Sequence, residues 1–263
     1  MLRKAFAAKI MEGVKIFMGQ NFGGLLGPLS QNAPHRHFTT QITVSEKPFV
    51  IHTDREELKS QQAILASQVK HQIDLSPGQR SLVLNVNPLS KLGLWCQHQL
   101  AGKEVISSQA DFMQQAWAVA QEAALVSDGA VVLERFIDGY LHKVEQQNGP
   151  LTSTLDARIV TCLHTLYEAE EPPAAIAMAE ALSLSESRFL HLFKHETGIT
   201  YRRMILWLRL AKSFQHYASF SSLTELAHFC GFADSAHYAR TFKETFGIRP
   251  SDLLAQRSRF VQA

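Results

Sequence analysis

Two stretches of this sequence carry side chains whose types and spacing suit chemistry on a polyanion. In Glu186–Thr197 (ESRFLHLFKHET), Phe189, Leu192 and Phe193 share one face at helical spacing, while Ser187, Arg188, His191 and Lys194 fall on another. In Ser235–Phe246 (SAHYARTFKETF), Tyr238 and Phe242 take the apolar face, and Ser235, Ala236, His237, Arg240 and Lys243 lie outside it. Serine, histidine and arginine donate hydrogen bonds to base edges, and arginine pairs with guanine through two bonds at once. Lys194 and Lys243 stand near the C-terminal ends, where an ammonium group meets phosphate or complements the helix dipole. A third candidate is His35 with His37, two residues apart, which on one strand point the same way. With Glu46 or His71 they would make a metal site. The plainer reading is a pair of ordinary strand or loop histidines, and no cofactor is expected.

The elements that must position these groups can be read from the same residues. Phe189, Phe193, Tyr238 and Phe242 could serve as a stacking platform for single-stranded nucleic acid. Their helical spacing assigns them to a core instead. Searching for self-similarity finds a repeat. AMAEALSLSESRFLHLFKHETGI (177–199) matches ELAHFCGFADSAHYARTFKETFGI (225–248), with Ala179, Ser183 and Leu184 aligned to Ala227, Gly231 and Phe232. The single extra residue of the second copy falls in its turn. Each copy reads as a short helix (Ile176–Leu182, Leu223–Cys230), a turn with Ser185 or Asp234 placed to cap, and a second helix closed by Gly198 or Gly247. Between the copies, Tyr201–His216 has Ile205, Leu208 and Leu210 at apolar positions, with Arg202, Arg203, Arg209 and Lys212 outside. At about 1.5 Å per residue it spans about 24 Å. Such a spacer suits two helices set in successive major grooves about 34 Å apart. The Arg202–Arg203 pair reads equally as a phosphate clamp or a solvated face.

Upstream, the chain changes character twice. Residues 1–106 read as short strands, among them Phe38–Glu46, FVIHT, QVKHQIDL and SLVLNVNP, with a turn at Ser76-Pro77-Gly78. That pattern suggests an antiparallel sandwich or barrel. Residues 107–148 read as a helical pair, Gln109–Val126 with Phe112, Ala116, Val119 and Ala123 on one stripe, then Val131–Gln147. Gln147-Asn148-Gly149-Pro150 is the linker candidate. Asp156–Glu168 opens an all-helical third region, stopped by Pro172-Pro173.

Composition bounds the reading. The chain has 263 residues, 46% hydrophobic and 19% charged, with a net charge of +2. These values fit globular domains and neither require nor exclude a local basic patch. Cys96, Cys162 and Cys230 are scattered, which argues against a disulfide framework; Cys230 reads as a buried structural thiol. The first residues hold Arg3 and Lys4, but Lys9, Glu12 and Lys15 break any signal-peptide core, and no apolar run is long enough for a membrane span. A cytoplasmic protein is expected. No Ser/His/Asp set, P-loop or G-x-G-x-x-G is visible, so nothing argues for an enzyme.

The second copy, LAHFCGFADSAHYARTFKETFGIRPSDLL, has a GF turn, an aromatic, R-x-F-K, a glycine and a proline. With LSESRFLHLFKHETG in the first copy, it closely resembles the AraC/XylS family of bacterial transcription regulators, over about a hundred residues from Leu155 to Arg257. The resemblance implies an α+β multidomain chain. Residues 1–106 would form a cupin-like antiparallel β-barrel for sensing or dimerisation, foreshadowed by Pro34-His35-Arg36-His37. Residues 107–148 would form a helical linker or dimerisation pair. Residues 152–260 would form an all-α double helix-turn-helix domain, with units at 174–197 and 223–246. By position, Ser187 and His191 match residues that touch bases in family members, and Ala236, Ala239 and Arg240 fill the matching places in the second copy. Ser183 departs from the glycine that many members have. The function implied is sequence-specific regulation of transcription on double-stranded DNA. A small-molecule effector, a homodimer and, for an activator, RNA polymerase are the further partners; no membrane is expected. The alternative is a cupin-type metalloprotein or enzyme with an accessory helix-turn-helix domain.

Overall fold

The computed structural model describes residues 14–19, 21–29, 34–151, 155–216, 219–246 and 249–251. The signal-peptide question and the closing glycine Gly247 lie outside them. The chain divides into two compact units, Met1–Leu151 together with Asp234–Ala263, and Thr152–Ala233.

In the first unit, seven antiparallel strands form one sheet: β1 (Lys15–Met18), β2 (Phe22–Pro28), β3 (Thr40–Thr53), β4 (Glu57–Leu65), β5 (His71–Asp74), β6 (Arg80–Val86) and β7 (Val105–Ser107). Their order is β1-β2-β6-β3-β4-β7, with β5 on β3. This is the antiparallel, cupin-like architecture expected; among the described residues no pairing joins β1 to β7, so the sheet is open. Pro48 does not end a strand. β3 runs through it as a single element whose register with β4 shifts between Val44 and Phe49. The first half pairs with β6 and the second with β5, so the irregularity lets one strand serve two neighbours.

Alternation along β3 separates two buried faces. Ile42 and Val44, with Leu82 and Leu84 of β6, join the larger apolar core. Gln41, Thr43 and Ser45 are buried on the opposite face beside Asn85 and Ser81, with Ser45 Oγ 2.8 Å from Ser81 Oγ and Gln41 donating to Thr43 Oγ1 at 2.9 Å. Three helices cover the apolar face: α1 (Lys91–Leu100), α2 (Asp111–Ala123) and α3 (Gly129–Asn148). The strand-like reading of residues 1–106 missed α1, a helix capped by Ser90, whose side chain accepts from Gly93 N–H. In α2 the buried stripe is Phe112, Met113, Ala116, Ala120 and Ala123, with Val119 only half-buried. Gly149 ends α3 at φ 86°, its N–H donating to Glu145 O.

The second unit holds α4 (Ala157–Glu168), α5 (Ala175–Ala181), α6 (Glu186–Thr197), α7 (Tyr201–Gln215) and α8 (Leu223–Phe229). Phe189 and Phe193 of α6 meet Tyr201 edge to face, at centroid distances of 5.0 and 5.3 Å, and the Tyr201 hydroxyl donates to Pro173 O at 2.8 Å. α7 corrects the sequence reading by one step around the helix. Tyr201, Met204, Trp207 and Leu210 are buried, whereas Ile205 and Leu208 are half-buried. Lys212 is committed locally, its Nζ 4.7 Å from the Phe229 ring centroid. The last described helix, α9 (Ser235–Phe246), falls on the other side of the division.

Candidate nucleic-acid interface

Both short helices end in the same backbone device. After α5, Ser183 N–H donates to Glu180 O and Leu184 N–H to Ala179 O. After α8, Gly231 N–H donates to His228 O and Phe232 N–H to Ala227 O. This paired closure needs a left-handed residue at the bend. Gly231 takes φ 80°, and Ser183 takes φ 56° at the aligned position. Ser183 is therefore the strained member, which explains why a glycine suits its place. We expect Ser183→Gly to stabilise the unit by up to about 1 kcal/mol, read as a higher urea midpoint. Gly231→Ser should lower it, because a side chain at φ 80° is strained, and its Cβ would also lie 3.0 Å from Arg209 Nε.

The next helix in each copy is capped as expected. Ser185 accepts from Arg188 N–H before α6. Asp234 accepts from His237 N–H at 2.6 Å before α9, and that bond holds its carboxyl below the ordinary range. α6 closes at Gly198, φ 72°. With Phe189 and Phe193 fully buried, Ser187, Arg188, His191 and Lys194 are all exposed. Ser187, Arg188 and His191 line one surface hollow, which Arg158, Ser185, Leu192 and His195 complete. Arg158 and His195 were missed in the sequence. Arg158 comes from α4, far away in the chain, and its proximity to Ser187 is a tertiary fact. Its guanidinium pairs with Asp156 at 2.6 Å, and those bonds hold the Asp156 carboxyl down at about 2.

On α9, Tyr238 and Phe242 are buried, Ala236, Arg240 and Lys243 exposed, and Ser235, His237 and Ala239 half-buried. The polar face of α9 is thus separate from its apolar one. Arg202 and Arg203 are exposed on α7. Cys230 is buried, and burial pushes its thiol up to about 11; Cys162 is likewise raised to about 12. Neither is a ready thiolate at neutral pH.

Of the metal candidates, His35 and His37 come together with His71 and not with Glu46. Glu46 is exposed, its carboxylate accepting from Arg80 N–H.

A helix-turn-helix domain model matches residues 178–256. Over 88 residues the chain is 38% identical to the HTH-type transcriptional activator RhaS of Escherichia coli, and equally so to RhaS of Salmonella paratyphi B. These matches cover 33% of this chain and only 31% of each relative. Structural similarity extends further. Apo ToxT of Vibrio cholerae superposes with a TM-score of 0.56 at 17% identity, covering 91% of this chain and 98% of ToxT. ToxT bound to an unsaturated fatty acid gives 0.54 at 18%, covering 90% and 96%. At that identity the likeness shows the fold alone, and it spans both the sheet and the helical regions. The left-handed turns and the capped second helices of both copies lie within the stretch that the helix-turn-helix domain model matches.

Proposed function

We propose that the chain is a sequence-specific transcription regulator that reads double-stranded DNA with α6 and α9. The observation that supports this most is α6 itself, locked by two buried phenylalanines on one side while Ser187, Arg188 and His191 stand together on the other. Ser187, Arg188 and His191 read base edges, and Lys194 meets phosphate. On α9, Arg240 is the chief base contact, Ser235 and His237 assist, Lys243 meets phosphate, and Ala236 and Ala239 offer van der Waals contact to thymine methyl groups.

In this reading residues 1–106 sense or dimerise, 107–148 form a linker or dimerisation pair, and 152–260 bind DNA. ToxT has been solved with a fatty acid bound. By analogy the sheet domain here takes a small-molecule effector. A homodimer would suit the α2–α3 tip, where Leu125 is 86% exposed beside exposed Val126 and Val131. As RhaS is an activator, RNA polymerase is the further partner proposed. The setting is the cytoplasm; no described helix is long and apolar enough to cross a membrane.

The test is selection of genomic fragments by the full-length protein. One enriched motif is expected. Arg240→Ala should weaken binding to it by about 1–3 kcal/mol and relax preference at one base pair. Enrichment of no motif would remove the proposal.

A further inference from the structure

Apart from the reading helices, three imidazoles converge at one end of the sheet. His35 and His71 form an isolated antiparallel bridge, each N–H donating to the other's carbonyl at 2.9 Å. Residues directly opposite each other send their side chains to one face, and the two ring centroids lie 4.4 Å apart. His37, two residues along, brings a third ring 5.4 Å from that of His35 and 4.9 Å from that of His71. One nitrogen from each ring lies within 4.8 Å of the others.

The hydrogen bonds decide which nitrogens are available. His71 is 1% exposed, and its Nδ1 lies 3.0 Å from Val69 O. A carbonyl only accepts, so Nδ1 carries the proton and Nε2 keeps a lone pair. That Nε2 is buried and has no hydrogen-bond partner. His37 repeats the pattern, with Nδ1 2.9 Å from Thr39 O. The Thr39 hydroxyl is also 2.9 Å from that nitrogen, but it donates its one proton to Asn85 Oδ1 at 3.2 Å. The Nε2 lone pair of His37 then sits 3.0 Å from Gln41 Oε1, a second acceptor. With the proton on Nδ1, a cation between Gln41 Oε1, His37 Nε2 and the unpartnered His71 Nε2 satisfies all three. Donation of one ring N–H to a carbonyl is also how metal-bound histidines are held.

We propose that His35, His37 and His71, with Gln41 Oε1 beside them, bind a divalent transition-metal ion of imidazole preference, Zn²⁺ foremost. The donor set contains neither carboxylate nor thiolate, which disfavours Mg²⁺ and Ca²⁺ and suits Zn²⁺, Ni²⁺ or Co²⁺. At zinc–nitrogen distances of about 2.0–2.1 Å, tetrahedral ligand nitrogens stand about 3.4 Å apart, so the rings close in modestly on the ion. His35 is half-buried and gives the ion its way in.

The test uses tag-free, chelator-stripped full-length protein. Zn²⁺ is titrated against a chromogenic chelator, and Co²⁺ is followed by its visible d–d absorption. Stoichiometric binding is expected, weakened at least about a hundredfold in His35→Ala, His37→Ala and His71→Ala. His52→Ala and His98→Ala, which remove histidines outside the cluster, should leave it unchanged. Circular dichroism checks each fold; should the buried variants unfold, His35→Ala decides alone. Wild-type binding no tighter than that of folded His35→Ala overturns the proposal. The outcome is independent of whether the chain reads DNA.

Discussion

Phe193→Ala is expected to destabilise the Thr152–Ala233 unit by about 3–5 kcal/mol. The Phe193 side chain is fully buried, tilted against Phe189 at 5.9 Å and edge-on to Tyr201 at 5.3 Å. Tyr201 in turn ties α7 to Pro173 through its hydroxyl. Removing the ring leaves a cavity between α6 and α7, and the loss is a large share of a typical domain's 5–15 kcal/mol or so. Amide hydrogen exchange on the full-length chain separates this from a general effect. Protection in α5, α6 and α7 should collapse, while β3 and β6 in the other unit keep theirs. DNA binding should be lost with it, because Ser187, Arg188 and His191 hold their places only while α6 is packed. An unchanged urea midpoint would show that the aromatic cluster does not carry this unit.

Affinity for the selected DNA should fall about a hundredfold between 50 and 200 mM salt. The basis is charge placement. The net charge is only +2, yet Arg188, Lys194, Arg202, Arg203, Arg240 and Lys243 are all exposed on α6, α7 and α9. With Lys194, Arg202, Arg203 and Lys243 on phosphates and Arg188 and Arg240 on bases, the slope of log affinity against log salt is about −4. Arg203→Ala should make the slope shallower by about 1 and weaken all sequences alike, unlike Arg240→Ala, which should act at one base pair. Measured by fluorescence anisotropy, a slope near zero would falsify the DNA-binding reading.

Arg158 adds to this picture from outside the helix-turn-helix. It borders the hollow made by Ser187, Arg188 and His191. No periodicity or motif could have named it, because its nearness depends on how α4 packs beside α6.

What the sequence determined by itself is everything local along the chain. Phe189 and Phe193, four apart, define a buried helical stripe wherever α6 packs, so its polar face follows. Ser185, Asp234, Gly198 and Gly149 mark helix ends because capping involves residues within a few positions of one another. Even the departure at Ser183 was visible as a residue type, although only the backbone shows that it sits at positive φ. Tertiary structure decided what depends on distant partners. Phe38–Glu46 and FVIHT read as two strands, yet β3 runs through both because β4, β5 and β6 all pair along its length. The stripe of α7 shifted to Tyr201, Met204 and Trp207 because its neighbours, not its own pattern, chose the buried side. His35 and His37 could be paired by eye, whereas the choice of His71 over Glu46 came from a bridge joining residues far apart in sequence. Helical periodicity is written within one turn of chain; strand register and side-chain clusters exist only after the chain has folded back on itself.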